Sequence, residues 1–182
     1  MKDKSLRVAV AQINSTVGDL QGNAAKISRY VEKAKDYGTD IICFPELTIC
    51  GYPPEDLLLK PKFISDNVNA LKNLAKTING NITAIVGFAD GGSKETYNAA
   101  AVIYNGQIKG VYRKIFLPNY GVFDEKRYFD AGDKLLVFKL SDFIFGVNIC
   151  EDIWYADGPT KAQARAGAKL ILNINASPYY AG

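Results

Sequence analysis

The sequence predicts a mixed α/β fold, with β-α-β crossovers at the front and antiparallel hairpins in the middle. Three observations carry that prediction. Short runs rich in Val and Ile alternate with stretches whose apolar residues recur at helical spacing. An Asn105-Gly106 pair separates two further β-rich runs, and it is the strongest hairpin signal available, since both central positions of a type I′ turn need positive φ. Late in the chain, a second hairpin pattern is followed by an Ala-rich helical stretch and one more apolar run. No internal repeat, low-complexity tract or interdomain linker interrupts the pattern.

In order, residues 6–13 (LRVAVAQI) suit a buried strand. A helix is expected from Asn23, as cap, through Tyr37, with Ala24, Ile27, Val31 and Ala34 on one face and Gly38 as a stop. Residues 41–44 (IICF) read as a second buried strand, ended abruptly by Pro45. After a Pro-rich loop, GYPPEDLL, a second helix over about residues 63–78 places Ile64, Val68, Leu71, Ala75 and Ile78 on one face, and Gly80 ends it. Strands are predicted at 82–87 and 99–104, with 107–112 as the partner across the Asn-Gly turn. Between the first two, Asp90-Gly91-Gly92-Ser93 reads as a turn rather than a phosphate loop. Residues 135–140 and 143–149 pair across Ser141-Asp142, a short helix spans roughly 160–168, and 169–174 is the last strand.

The chain has 182 residues, 48% hydrophobic and 23% charged, the composition of one globular domain able to bury a sizeable core. A net charge of +3 is too small and too evenly spread to point to nucleic acid or an anionic membrane. No run approaches the roughly 18 consecutive apolar residues of a membrane span. MKDKSLRVAV lacks the pattern of a secretory signal, so the default expectation is a cytoplasmic protein. Cys43, Cys50 and Cys150 make an odd count without CxxC spacing, which argues against a disulfide framework and a zinc site. The absence of histidine excludes most: Ser-His-Asp and Cys-His catalysis, HExxH metalloproteases and every histidine-ligated metal. A hydrolase built from this chain must move protons with a carboxylate, a lysine, a tyrosine or water.

Three residues stand where chemistry is expected. Glu46, in FPEL, directly follows a buried strand, and strand C-termini are where α/β proteins place their sites. The plainer alternative is a surface glutamate in a loop. Lys114 opens a long aromatic-rich segment, YRKIFLPNYGVFDEKRYF, which either packs a core or shapes a pocket; a solvated lysine beside Arg113 is the other reading. Cys150 ends the strand FIFGVNIC, where an apolar run turns into an acidic loop, a place suited to an exposed and strained nucleophile. Free cysteines are more often core residues, the better explanation for Cys43, while Cys50 lies in a loop expected to be mobile and is the weaker nucleophile. Together the three make chemical sense. A thiol needs a base, a partly buried carboxylate can serve, and an ammonium stabilises first the thiolate and then an oxyanion.

These stretches resemble the nitrilase, or carbon–nitrogen hydrolase, superfamily, whose signature is a Glu-Lys-Cys triad. Within it, FPELTICGYPPEDLL, RKIFLPNYGVFDEKRYF, NICEDIW and NINASPYYAG are similar, almost residue for residue, to the glutaminase domain of glutamine-dependent NAD synthetases. The likeness covers nearly the whole chain, from AVAQINSTVGDLQGN onwards. It implies a four-layer α-β-β-α sandwich with mixed sheets. It also implies that Cys150 attacks the side-chain amide of glutamine to give a thioester and ammonia, with Glu46 as base and then acid. Lys114, with backbone N–H groups near Cys150, would hold the oxyanion. Glu125 matches a second acidic residue that orients the triad, and Tyr52, Tyr120, Phe123 and Ser177 fall where that subfamily lines its glutamine pocket. Core packing for the three rings, and a turn role for Ser177 ahead of Pro178, remain open alternatives.

Further expectations follow from the likeness. Residues 1–182 make a single carbon–nitrogen hydrolase domain shorter than the family's, so the sandwich is expected to be incomplete at its C-terminal end. The synthetase module, to which ATP and Mg would belong, is absent, and no GxxxxGK[ST] or SGGxDS-like loop appears. No metal or cofactor is expected in this domain. The implied partners are glutamine, a synthetase module in the same full-length protein, and a second copy of the chain, with no nucleic acid and no membrane. Two other readings stand beside glutamine hydrolysis: a nitrilase-type amidase or carbamoylase with another substrate, and an inactive fragment serving as an assembly module.

Overall fold

Two β-sheets stack face to face, and the alternation of side chains along each strand decides what each face meets. The computed structural model describes residues 5–92, 94–178 and 181. In the larger sheet, β1 (Val8–Val10), β2 (Ile41–Cys43) and β3 (Thr83–Gly91) run parallel, and β4 (Thr96–Tyr104) and β5 (Gln107–Arg113) continue it antiparallel, in the order β1-β2-β3-β4-β5. The crossovers between the parallel strands carry α1 (Leu20–Asp36) and α2 (Pro61–Thr77). The smaller sheet pairs β6 (Val137–Leu140) antiparallel with β7 (Phe143–Ile149) and β7 parallel with β8 (Leu170–Ile174), with α3 (Pro159–Arg165) in the β7–β8 crossover.

On β3, Ile85 points into the gap between sheets while Ala84, Val86 and Phe88 point to the helices. On β7, Phe145, Val147 and Ile149 point into the same gap, and Gly146 and Asn148 face α3, where the Gln163 amide waits. Ile27 and Val31 of α1 and Leu71 and Leu74 of α2 cover the outer face of the larger sheet. The layer order is therefore helix, sheet, sheet, helix, the α-β-β-α sandwich that the resemblance implies. Among the described residues, no helix is long and apolar enough to cross a membrane.

The elements appear where the sequence places them, with shifted ends. The first strand is shorter than 6–13, although Ala11 N–H still reaches the Cys43 carbonyl at 2.9 Å. Asn23 does not cap the first helix. Asp19 does, its carboxylate accepting from Gly22 N–H at 2.9 Å, and Asn23 sits buried one turn in. The division follows from chemistry: a carboxylate only accepts, which suits orphan N–H groups. The Asn23 amide both accepts from Thr16 N–H and donates to the carbonyls of Thr16 and Ile49, so it pins the 44–51 loop to the helix. The second helix starts earlier, at Pro61, because proline is tolerated in the first turn. The β3–β4 ladder runs past Gly87 as far as Gly91 opposite Thr96. Its turn closes through Gly92 N–H to the Glu95 carbonyl at 3.0 Å, as expected of that stretch, although Ser93 lies outside the described residues. Asn105 and Gly106 take φ of 47° and 75°, the positive values that their hairpin requires.

Candidate active site

Glu46 owes its position to a sharp elbow at the end of β2. Phe44 N–H still binds the Ile85 carbonyl of β3, after which Pro45 turns the chain and Leu47 adopts φ of 51°, a left-handed conformation unusual for a branched residue. The elbow presses against β3 at Gly87, where a Cβ would lie 2.4 Å from the Pro45 carbonyl and 2.5 Å from the Leu47 nitrogen. Glycine is needed there for close approach rather than for a turn. The whole loop is packed. Cys50 is fully buried, as are Leu47 and Ile49, so the expectation of a mobile loop at Cys50 is wrong: apolar side chains at 47, 49 and 50 all point inward. Cys43 lies in the core between the sheets, as expected, and all three cysteines are free and buried.

The Glu46 carboxylate, 2% exposed, has both oxygens engaged. Oε1 accepts from Asn98 Nδ2 at 2.7 Å and from Lys114 Nζ at 2.8 Å, and Oε2 accepts from Ala176 N–H at 3.0 Å. Lys114 follows β5, its backbone tied to the Asn98 carbonyl and to Gly132 N–H, each at 2.8 Å. Its ammonium has no exposure and also donates to Glu125 Oε1 at 2.7 Å. Burial alone would lower the Lys114 pKa, but the two carboxylates outweigh it and hold the group above the usual lysine range. Glu125, buried and facing both Glu46 and Lys114, is pushed up to about 7, first by burial and then by the Glu46 charge. Its Oε2 has no hydrogen-bond partner among the described residues.

Cys150 directly follows β7 and opens a short 3-10 turn, Cys150–Ile153, with φ of 43°. The strain that the sequence suggested is present; the exposure is not, because the residue is 5% exposed. Burial, then the Glu46 charge, pushes its thiol up to about 11, and Lys114 works in the opposite direction. At neutral pH the sulfur is protonated and needs a base. The Ser177 Oγ lies 3.6 Å from the sulfur. Glu46 and Lys114 thus meet in direct contact, and the Cys150 sulfur, from the other sheet, lies close enough to feel both charges.

Beside it lies a cavity of about 560 Å³ whose wall includes Tyr52, Leu58, Phe123, Glu125, Tyr128 and Ala176. Tyr52 and Ala176 also line a second hollow of about 400 Å³ that reaches Glu46 and Ser177. Tyr52, Phe123 and Ser177 therefore border open space, and Tyr52 also packs against the core cluster of Leu47, Cys50 and Phe129. Tyr120 stands apart from both linings. It is 58% exposed, sits edge-on to Phe123 with ring centres 5.8 Å apart, and donates to Glu151 Oε2 at 2.7 Å, so core packing does not describe it. Among the described residues, no group of three or more His, Cys, Asp or Glu side chains is placed to hold a metal ion.

Sequence reasoning missed Asn98, Asp152, Asn173 and the Ala176 backbone. Asn98 comes from the middle of β4 and carries no motif, although a buried Asn in the run TYNAAAVIY is a polar exception worth a question. Asn173 donates to the Cys150 carbonyl at 3.3 Å and to Asn148 at 2.7 Å. No local signal shows such a contact, because it exists only once β7 and β8 pair.

The carbon–nitrogen hydrolase family model matches residues 7–181. The chain belongs to the carbon–nitrogen hydrolase family. It is 49% identical over 181 residues to a glutamine-dependent NAD(+) synthetase of Thermotoga maritima, covering 98% of this chain and 31% of that protein. A second such synthetase, from Xanthomonas campestris, is 46% identical over 182 residues, with 98% and 32% covered. The solved glutamine-dependent NAD+ synthetase of Acinetobacter baumannii superimposes with a TM-score of 0.89 at 40% identity, over 98% of this chain and 34% of that one. An amidase from Nesterenkonia sp. AN1 has a TM-score of 0.82 at 22% identity, a likeness of fold. The chain spans about a third of the length of the curated relatives it matches.

Proposed function

We propose that this carbon–nitrogen hydrolase domain hydrolyses the side-chain amide of glutamine. The observation that carries the proposal is the Lys114 ammonium, fully buried and shared between Glu46 and Glu125 beside a buried free cysteine. That set supplies a base, a nucleophile and an oxyanion donor in a chain without histidine. Glu46 takes the proton of the Cys150 thiol as the sulfur bonds to the amide carbon. The oxygen of the tetrahedral intermediate gathers negative charge and is held by Lys114 N–H. As the C–N bond breaks, Glu46 returns the proton to the leaving nitrogen, releasing ammonia and leaving a glutamyl thioester. Glu46 then takes a proton from water, which adds to the thioester carbon. Collapse expels the sulfur, which recovers a proton, and glutamate leaves. Every group is a side chain, so the steps call for no cofactor.

Glu125 orients Lys114, and Tyr52, Phe123 and Ser177 border the space for the substrate, with Tyr120 at its rim. The ammonia would serve ATP-dependent amidation of deamido-NAD in a synthetase module of the same protein; in support, the relatives are named glutamine-dependent NAD+ synthetases. Self-association fits the exposed apolar side chains of Val10, Val122 and Trp154.

Ammonia release from a panel of amides tests the proposal, using L-glutamine, L-asparagine, acetamide and an N-carbamoyl amino acid. Glutamine should rank first and Cys150→Ala should abolish release. A panel led by another compound would move the domain to a different amidase, and release that survives Cys150→Ala would end the reading.

A further inference from the structure

Within the cysteine turn lies a carboxylate to which the steps above give no task. Asp152 is wholly buried and binds four donors. Its Oδ1 accepts from the backbone N–H groups of Ile115 at 3.1 Å and Phe116 at 2.9 Å. Its Oδ2 accepts from the Tyr112 hydroxyl at 2.8 Å and from Ile149 N–H at 3.2 Å. Tyr112, Ile115 and Phe116 bracket Lys114 on the larger sheet's last strand and the segment beyond it. Ile149 immediately precedes Cys150 on the smaller sheet. One side chain therefore joins the two segments that bring the ammonium and the sulfur together.

We propose that Asp152 is a positioning residue, which fixes the strained Cys150 turn against the Lys114 segment and so sets the sulfur's approach to the ammonium. This rests on the reading of Cys150 and Lys114 as nucleophile and oxyanion donor. The donor set explains why a carboxylate is required. Three of the four partners are backbone N–H groups, which cannot turn round to accept. An asparagine must aim its NH2 at Ile149 N–H in one orientation, or at Ile115 and Phe116 N–H in the other. Either choice sets donor against donor in a dry interior, and the cheapest relief is for the turn to move. Burial raises the Asp152 carboxyl pKa and the four donors bring it part-way back, in keeping with an acceptor-only role. The Cys150 φ of 43° makes the turn responsive, since a strained residue keeps its conformation only while its surroundings impose it.

The test compares Asp152→Asn and Tyr112→Phe with the unaltered protein by kcat and KM for glutamine, and by the rate at which iodoacetamide alkylates Cys150 at pH 9. Thermal melting reports whether each variant folds. Folded Asp152→Asn should lose roughly 100-fold in kcat, the scale of an ångström-sized misplacement, with KM within a few-fold. Its Cys150 alkylation should slow several-fold, because the sulfur leaves the ammonium that eases its ionisation. Tyr112→Phe, which removes one donor and no backbone bond, should show smaller changes of the same kind. Unchanged kcat and alkylation in folded Asp152→Asn overturn the proposal, as does a loss confined to KM. Should Asp152→Asn fail to fold, Tyr112→Phe decides alone, and wild-type values there overturn it. If the unaltered protein releases no ammonia from glutamine, the glutaminase reading fails, and alkylation rates alone then judge the placement of the turn by Asp152.

Discussion

Lys114 meets two carboxylates and no solvent, and most of the site's behaviour follows from that. Replacing it with methionine removes the oxyanion donor, a loss of roughly 10²–10³ in kcat. It also leaves Glu46 and Glu125 buried without their cation, which costs about 3–5 kcal/mol of stability. Turnover and urea unfolding should therefore both fall. Glu46→Gln separates the two effects: the neutral amide cannot accept the thiol proton, so kcat should drop roughly 10²–10⁴-fold, while the melting temperature should fall less than in Lys114→Met, because the new NH2 opposes only Ala176 N–H and the Lys114–Glu125 pair survives. A melting temperature that fell as far as in Lys114→Met would mean that Glu46 serves the fold more than the proton. At this scale the sequence was informative because Glu46, Lys114 and Cys150 each sit at or just beyond a strand end, a position visible from hydrophobic patterning. Asn98 and Asp152 were not legible, since nothing in their neighbourhoods tells which distant N–H or carboxylate they will meet. The exposure of Tyr120 was not legible either, since a ring in an aromatic-rich segment gives no sign of facing outward.

The elements hold the site by making unusual turns at strand ends. The Glu46 elbow and the Cys150 turn both use positive φ at residues with side chains, Leu47 and Cys150, and each is braced by neighbours. Gly87→Ala tests the first brace directly. Its new methyl would sit 2.4 Å from the Pro45 carbonyl, so β3 and the elbow must separate. The expected cost is about 1–3 kcal/mol, and kcat should fall as Glu46 shifts. Wild-type stability and turnover in that variant would mean that the elbow adapts freely. Element identities were readable from period and turn chemistry, and the Asn105-Gly106 hairpin was the clearest case. Boundaries were harder because two side chains of similar capping ability, Asp19 and Asn23, stand four positions apart, and only tertiary contacts assign one to the helix end and the other to the 44–51 loop. Gly87 misled in another way: it weakens a strand by propensity, yet the ladder passes straight through it because the packed elbow needs the missing side chain.

For the whole molecule, the balance of buried charge sets a pH dependence. Glu125 is pushed up from 4.5 to about 7, so between those values the folded state holds a proton that the unfolded chain has released. By linkage, this contribution to stability is fully present below the unfolded value and is lost as pH rises through the folded one. Melting temperatures of the parent minus those of Glu125→Gln should therefore decline from pH 4.5 to 7.5. A flat difference would contradict the buried, Glu46-facing position of that carboxyl. The sandwich itself was legible only through family likeness. Alternation on β3 and β7 shows two-faced burial, but no local pattern states that Ile85 will meet the smaller sheet rather than a helix.

In the proposed reaction Cys150 is a nucleophile aimed at the amide carbon of glutamine by its two charged neighbours. Peptide mapping by mass spectrometry, after exposure to a diazo-ketone analogue of glutamine, measures it most directly. One adduct on the peptide bearing Cys150 is predicted, with Cys43 and Cys50 unmodified, excess glutamine protecting the site and Glu46→Gln slowing the labelling. An unmodified Cys150, or label spread evenly over the three cysteines, would contradict it.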